Sequence, residues 1–324
     1  MTSVVEVIRA GVVAGGLLEP GRPVVVMLSG GRDSTCLLDV AAEIAGVPAV
    51  SALHVNYGLR EEAGGDERHC QELCAARQVE LTVRRAGGGR PRSGNVQDWA
   101  RTLRYDAAAS LAAARAADIA AGHTATDQVE TILYRLASSP SRRALLGMRP
   151  RDGSLIRPLL AFTREQTGAY CRERGLAWRE DESNAGDAYA RSRVRHRLVP
   201  ALREIHPGAE HNVLMLALRL RDEAEVLDEL VARELGGRAA IELARLRALP
   251  VAIARLIVQS LADDVHSRPT PGTARRLEEI LALREAGVTH LDLPGGVRAT
   301  VAGGVLSFAR TPPRAAVEQA QSIH

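Results

Sequence analysis

The stretch that most restricts this chain's fold is the junction of Val24-Val25-Val26-Met27-Leu28 with Ser29-Gly30-Gly31-Arg32-Asp33-Ser34. A short β-branched run bounded by small residues reads as a buried strand. Beyond the turn, Ser34 to Ala42 has the apolar spacing of an amphipathic helix. Gly30 and Gly31 let the intervening backbone take positive φ and come close to a ligand. The helix start then aims unpaired N–H groups and a positive dipole end into the loop, which suits an anion. Ser29 and Ser34 add hydroxyls, and Asp33 adds a carboxylate suited to a divalent cation or a polarised substrate. The simpler reading is a Gly-rich turn with Asp33 or Ser34 as the helix cap. The complete hexapeptide in this setting favours phosphate binding.

Composition narrows the phosphate chemistry, because all 42 basic residues are arginine. A Walker A loop needs the lysine of GxxxxGK[ST], so that kinase and GTPase plan is excluded, as is any Schiff-base lysine. Ser29 to Ser34 instead resembles the SGGxDS loop of the ATP pyrophosphatases. The resemblance implies cleavage of ATP between its α and β phosphates, adenylation of a substrate oxygen, and displacement of AMP by a nucleophile. It implies that Ser29, Gly30, Gly31, Arg32, Asp33 and Ser34 cradle the pyrophosphate, with Asp33 near Mg²⁺. The four cysteines (Cys36, Cys70, Cys74, Cys171) form no CxxC pair and are expected to be reduced and structural. Glu6 and Arg9 interrupt Val4 to Leu18, unlike a signal peptide, and no apolar run nears the ~20 residues that cross a bilayer. The expectation is a soluble, cytoplasmic protein with no membrane partner.

Along the chain, a helix at Val4–Leu18 precedes the first strand, and further strands are expected at Ala49–Val55, Val79–Arg84 and Asp118–Ala121. Helices are expected at 66–77, from an Asn95 cap to about Ala117, and at Ala125–Ala137. This alternation specifies an α/β fold, a parallel sheet with helices on both faces. Ligands in such sheets sit beyond the carboxyl ends of the strands, where the Ser29 loop, His54–Asn56 and Gly122-His123 fall. Between Arg142 and Arg203 there are fourteen arginines against seven acidic residues. Individually, most arginines between Arg142 and Arg179 are expected to pair with Glu165, Glu173 and Glu180 on solvated faces, while the surplus as a patch suits a polyanion. After Pro207 the pattern becomes helical (211–235, 241–248, 251–261, 273–284), ending in a β-meander around Pro294-Gly295-Gly296 and Gly303-Gly304. Two domains follow: residues 1–207, including the arginine-rich segment 142–203, and a smaller, mostly helical domain at 208–324.

Asp127 and Glu130 are three residues apart, so both carboxylates face one side of a helix near its N-terminus. They complement the helix dipole, or hold Mg²⁺ or an incoming ammonium group. His123 is read equally as a structural or a functional histidine.

Several ordered elements then sharpen the resemblance. His54-Val55-Asn56-Tyr57-Gly58-Leu59-Arg60 is similar to HVNHGLR, and Ala100-Arg101-Thr102-Leu103-Arg104-Tyr105 to ARxxRY. Gly122 to Thr131 resembles HHxxDDQxET, with Thr124 and Thr126 as departures. Arg157-Pro158-Leu159-Leu160, Glu180 to Asn184 and Arg191-Ser192-Arg193-Val194-Arg195-His196 resemble RPLL and EDxSN…RNxIRH, with Ser192 in place of asparagine. From about Val24 to Pro200 the chain resembles the tRNA(Ile)-lysidine synthetases.

The resemblance implies ligation of L-lysine to carbon 2 of the wobble cytidine in CAU-anticodon tRNA(Ile), through an adenylated cytidine, with release of AMP and pyrophosphate. It implies ATP and Mg²⁺ as cofactors and tRNA(Ile) and L-lysine as partners, and it allows a homodimer. By this reading Asp33, Asp127, Arg191 and Arg195 are catalytic, and Ser29 to Ser34, His54 and Asn56 bind the nucleotide. Asp127 and Glu130 hold lysine, and Asp33 faces the metal. Because the chain ends soon after its helical region, reduced contacts with the rest of the tRNA are expected. Two alternatives stand beside this reading. One is a tRNA 2-thiolation enzyme, which would need a catalytic cysteine set that is absent here; the other is a non-catalytic ATP- or RNA-binding module.

Overall fold

In the computed structural model, residues 3–58, 63–87, 96–139, 142–180, 190–267, 270 and 272–312 are described. Leu59, Arg60, Asn95 and the stretch Asp181 to Asn184, all used above, lie outside them. The chain divides into two compact units, 1–218 and 219–324.

The first unit begins with α1 (Val4–Ala14), β1 (Val24–Met27), α2 (Arg32–Ala45), β2 (Val50–Asn56), α3 (Ala63–Arg77) and β3 (Glu80–Arg85). It continues through α4 (Val96–Arg115), β4 (Asp118–Ala120), α5 (Ala125–Ser138), α6 (Arg142–Leu145), β5 (Arg151–Asp152) and β6 (Leu155–Ile156). Then come α7 (Arg164–Glu173), α8 (Ala190–Arg193), a π-helical turn (Val194–Leu198), α9 (Val199–Ile205) and the start of α10 (Ala209–Leu235). The strands order as β3-β2-β1-β4-β6-β5, all parallel except β5, which pairs antiparallel with β6. Val24 pairs with Val50 on one side and Asp118 on the other, so β1 is the central strand where the chain order reverses. Ligand crevices form at such reversals.

The apolar run of β1 is buried on both faces, and period-2 alternation divides it between two cores. Val24, Val26 and Leu28 pack with Ile8 of α1, Leu37 of α2, Cys70 of α3 and Tyr170 of α7. Val25 and Met27 pack against Ala108 and Ala112 of α4, whose small side chains let that helix lie close to the sheet. Aromatic residues are only 3% of the chain, and alanine takes their place at this contact.

The second unit holds the rest of α10, β7 (Ala240–Glu242), α11 (Leu243–Ala248), α12 (Val251–Asp264), α13 (Leu277–Leu281), β8 (Val288–Leu293), β9 (Val297–Ala302) and β10 (Val305–Arg310). An antiparallel sheet, β7-β10-β9-β8, encloses a core of Leu243, Leu246, Ile257, Val258, Ile280, Val301 and Leu306 with the helices. Gly303 and Gly304 both have positive φ, as a two-residue hairpin turn of this twist needs. Ile241 lies in β7, pairing with Leu306, so the helix expected from 241 starts two residues later. Among the described residues no helix is long and apolar enough to cross a membrane.

Candidate active site

The loop after β1 folds back on itself. Gly30 has φ +82°, and a Cβ there would meet Cys70 Sγ and His69 Cδ2 at 3.2 and 3.3 Å. The Ser29 and Ser34 hydroxyls lie 2.9 Å apart, the Ser29 N–H donates to Ser34 Oγ, and Ser34 Oγ donates to the Gly31 carbonyl. Helix α2 starts at Arg32 with Gly31 as its cap and no side-chain capping bond. Neither Asp33 nor Ser34 caps it, so the first-turn N–H groups stay available to an anion.

Gly122, at the end of β4, sits against this loop. A Cβ on it would lie 3.1 Å from the Ser34 nitrogen and 3.2 Å from the Asp33 carbonyl, so the close approach of the two strand ends depends on glycine. That approach brings the start of α5 beside Asp33. Thr124 caps α5 in a reciprocal box: its Oγ1 accepts from the Asp127 N–H, while Asp127 Oδ2 accepts from the Thr124 N–H (2.9 Å) and hydroxyl (2.8 Å). Thr124 thus has a structural role as the cap of α5.

Arg164 joins the two acids. Its Nε donates to Asp33 Oδ2 (3.2 Å) and its Nη2 to Asp127 Oδ1 (3.1 Å), while its backbone N–H donates to Thr126 Oγ1 (3.1 Å). The Thr167 hydroxyl donates to the other Asp33 oxygen. Burial raises the Asp33 carboxyl above its usual range despite Thr167 and Arg164. At Asp127 burial acts in the same direction, but Arg164 and the Thr124 donors outweigh it and hold the carboxyl below its usual range. Arg164 was not among the residues singled out in the sequence. Thr163-Arg164-Glu165-Gln166 does carry a signal, since Thr163 and Gln166 form a second capping box. That box puts an arginine in a helix's first turn, against the dipole, a placement that asks for an acidic partner.

Glu130 is fully buried and takes a fork from Arg195, Nε to Oε1 at 2.6 Å and Nη2 to Oε2 at 2.9 Å. Arg195 Nη2 also lies 3.8 Å from Asp127. Arg191 donates from Nη2 to Thr131 Oγ1 (2.6 Å), with Nε 3.8 Å from Glu130. Arg191 comes from α8 and Arg195 from the adjoining π-turn. Asp33, Asp127, Glu130, Arg191 and Arg195 therefore form one connected cluster with Arg164. His54 and Asn56 stand at the β2 edge: His54 Nδ1 is 3.0 Å from the Leu28 carbonyl, and Asn56 Nδ2 donates to Glu67 (2.8 Å).

Seven of the arginines between Arg142 and Arg203 pair with acids outside that segment. Arg151, Arg164, Arg174, Arg179, Arg191, Arg195 and Arg203 reach Asp118, Asp33 and Asp127, Asp39 and Glu43, Asp66, Glu130 and Glu210. Every one of these acids lies outside 142–203, so the local surplus is largely a clamp on α2, α3 and α5.

His123 is held down to about 4 by burial and by the charges of Arg157, Arg191 and Arg104, with Asp127 opposing. It is neutral at pH 7. Between about pH 6.5 and 4 the unfolded chain takes up a proton there that the folded chain refuses, so this residue makes stability fall as pH drops through that window. His123→Asn is expected to flatten the decline, as read by urea midpoints at pH 7 and pH 5.

The PP-loop domain family matches residues 9–202. A tRNA(Ile)-lysidine synthase from Symbiobacterium thermophilum is 38% identical over 95% of this chain and 69% of its own length. That of Parasynechococcus marenigrum is 32% identical, with 92% and 91% covered. That of Thermus thermophilus is 36% identical over 92% of this chain, which spans only 58% of it. Among solved structures, the U34-tRNA thiolase NcsA from Methanococcus maripaludis shares the fold with TM-score 0.56 at 17% identity, covering 67% of this chain and 78% of that one. A capped α5 set against a glycine-bearing phosphate loop, and relatives matched over nearly the whole chain, lead to one assignment: the chain belongs to the tRNA(Ile)-lysidine synthase family of PP-loop, ATP-using enzymes.

Proposed function

We propose that this enzyme uses ATP to join L-lysine to carbon 2 of the wobble cytidine in CAU-anticodon tRNA(Ile). The observation that carries the reading is the linked cluster in which the loop carboxylate Asp33 and the α5 carboxylate Asp127 share the Arg164 guanidinium. It sets a phosphate loop and an acidic pocket side by side, as a reaction with an adenylation and an amine-transfer step requires.

In the first step cytosine O2 attacks the α-phosphorus of ATP and pyrophosphate leaves. The N–H groups at the start of α2 and the Ser29 and Ser34 hydroxyls receive the departing charge. Asp33 and Asp127 are the carboxylates that would hold a Mg²⁺ here, in exchange for their hold on Arg164. Among the described residues no third acid, histidine or cysteine completes a cage, which suits an ion that keeps water and phosphate ligands. Mg²⁺ bound there would neutralise phosphate charge. In the second step an amine of lysine attacks carbon 2, a C–N bond forms, the C2–O2 bond breaks, and AMP leaves carrying the oxygen. The amine attacks only after losing a proton. Asp127, held ionised, accepts hydrogen bonds from the ammonium group and orients it, and the proton shed before attack passes to water. Glu130 fixes Arg195 at the pocket wall, placing a cation for the lysine carboxylate or AMP. His54 and Asn56 shape the β2 edge that receives the nucleotide.

The test supplies ATP, Mg²⁺ and labelled lysine with a CAU-anticodon tRNA(Ile) transcript and with a matched transcript carrying uridine at the wobble position. Incorporation is expected only with cytidine. ATP consumed without lysine transfer, but with transfer of sulfur or ammonia, would replace this reading with thiolation or amination.

A further inference from the structure

Arg101 and Arg104 on α4, Arg135 on α5 and Arg157 just after β6 make no ion pair with a carboxylate among the described residues. Arg157 is only 6% exposed. Its Nη1 donates to the Arg149 carbonyl, while its Nε is buried without a hydrogen-bond partner. Arg135 Nη1 meets the Gly147 carbonyl at 2.9 Å. Arg101 and Arg104 lie 4.8 and 5.6 Å from the centre of the Tyr105 ring. Arg104 Nε, the Tyr105 hydroxyl and His123 Nδ1 are also buried and unpartnered.

These groups converge on one place. Arg135 is pulled below the usual guanidinium range by burial and by the charges of Arg191, Arg157 and Arg101. Burial grades outward, with Arg157 innermost, Arg104, His123 and Arg135 half-buried, and Arg101 and Arg191 exposed. Buried donors without acceptors are costly, and uncompensated guanidinium groups add to the cost, unless an anion completes them. Nearby Arg164 and Arg195 are matched by acids, and these four are not.

Which anion fits follows from position and charge. The triphosphate has its own loop after β1, and the nucleotide edge lies toward β2. Arg135 on α5 and Arg157 after β6 lie on the β4 side of β1, while Arg104 on α4 reaches Tyr57 just past β2. Free lysine offers one carboxylate, too little charge for several guanidinium groups. A nucleic-acid strand whose base is flipped into the neighbouring site brings a phosphodiester on each side of that base.

We propose that the cluster of Arg101, Arg104, Arg135 and Arg157 around His123 binds the phosphodiesters flanking the wobble cytidine of the RNA substrate. The proposal rests on the lysidine reading above, and its test separates the two. Affinity for the CAU-anticodon transcript is measured over a salt series for the wild type, Arg101→Gln and Arg135→Gln. The same is done with transcripts carrying a neutral methylphosphonate on either side of the cytidine. Arg101 is exposed, so its variant is expected to fold normally.

Each substitution is expected to weaken RNA binding about tenfold and to lower the log-log salt slope by about 0.7. ATP affinity should hold. The neutral linkage should weaken the wild type comparably and the variants little further. Fully additive losses would overturn the proposal, as would loss of ATP affinity or a rise in lysine KM alone with RNA binding intact. Lysine incorporation by the wild type is scored in parallel. If it is absent while the phosphate dependence holds, the lysidine reading fails and the anion site stands. If it is present while the losses add, the anion site alone fails.

Discussion

Asp33→Ala is expected to cut AMP formation by at least about 10²–10³-fold while leaving the protein folded. The residue sits where three lines of chemistry meet: the phosphate loop, the Thr167 hydroxyl and the Arg164 guanidinium. Its carboxyl is buried enough to be raised in pKa, so its desolvation is already a burden that folding carries, and removing it relieves that burden. Stability should therefore change little although catalysis collapses. Asp33→Asn keeps the shape and the Thr167 contact but loses the charge. If Asp33→Asn retained near-normal ATP–pyrophosphate exchange, a role for the charge on phosphate or metal would be ruled out.

Glu130→Ala is expected to act differently. It removes one partner of a buried, forked ion pair and leaves the Arg195 guanidinium without its carboxylate. Such losses cost about 3–5 kcal/mol in fully buried pairs, and the lower end applies here because Arg195 keeps 27% exposure. The lysine KM should rise steeply, while adenylation persists in the fraction that remains folded. Glu130→Gln preserves one hydrogen bond and most of the packing and should recover stability ahead of lysine use. Chemical denaturation and exchange assays on both variants check the division; equal loss of ATP–pyrophosphate exchange in Asp33→Ala and Glu130→Ala would contradict it.

The α/β core was legible because its signals are local. The β-branched run of β1, the glycines after it and the helix spacing beyond each specify their own conformation. Asp127 and Glu130 could be placed on one face for the same reason. The partners of the arginines were not legible. Arg164 meets Asp33 from 131 residues away and Arg195 meets Glu130 from 65 residues away, and sequence spacing carries no information about such pairings. Arg151, Arg164, Arg174 and Arg179, expected to pair with Glu165, Glu173 and Glu180, meet acids outside the segment for this reason. Ile241 shows the same limit on a smaller scale. Its apolar spacing with Leu243 and Leu246 suits a helix, but backbone pairing with β10, more than sixty residues on, takes it into a strand.

The bridge made by Arg164 also bears on binding order. One guanidinium holds Asp33 with one nitrogen and Asp127 with another, the carboxylates proposed above for the nucleotide and amine halves of the site. A ligand that draws it toward either side loosens its hold on the other, so the affinities of the two halves are linked. Thermodynamic reciprocity then fixes the exchange: whatever factor ATP imposes on lysine binding, lysine imposes on ATP.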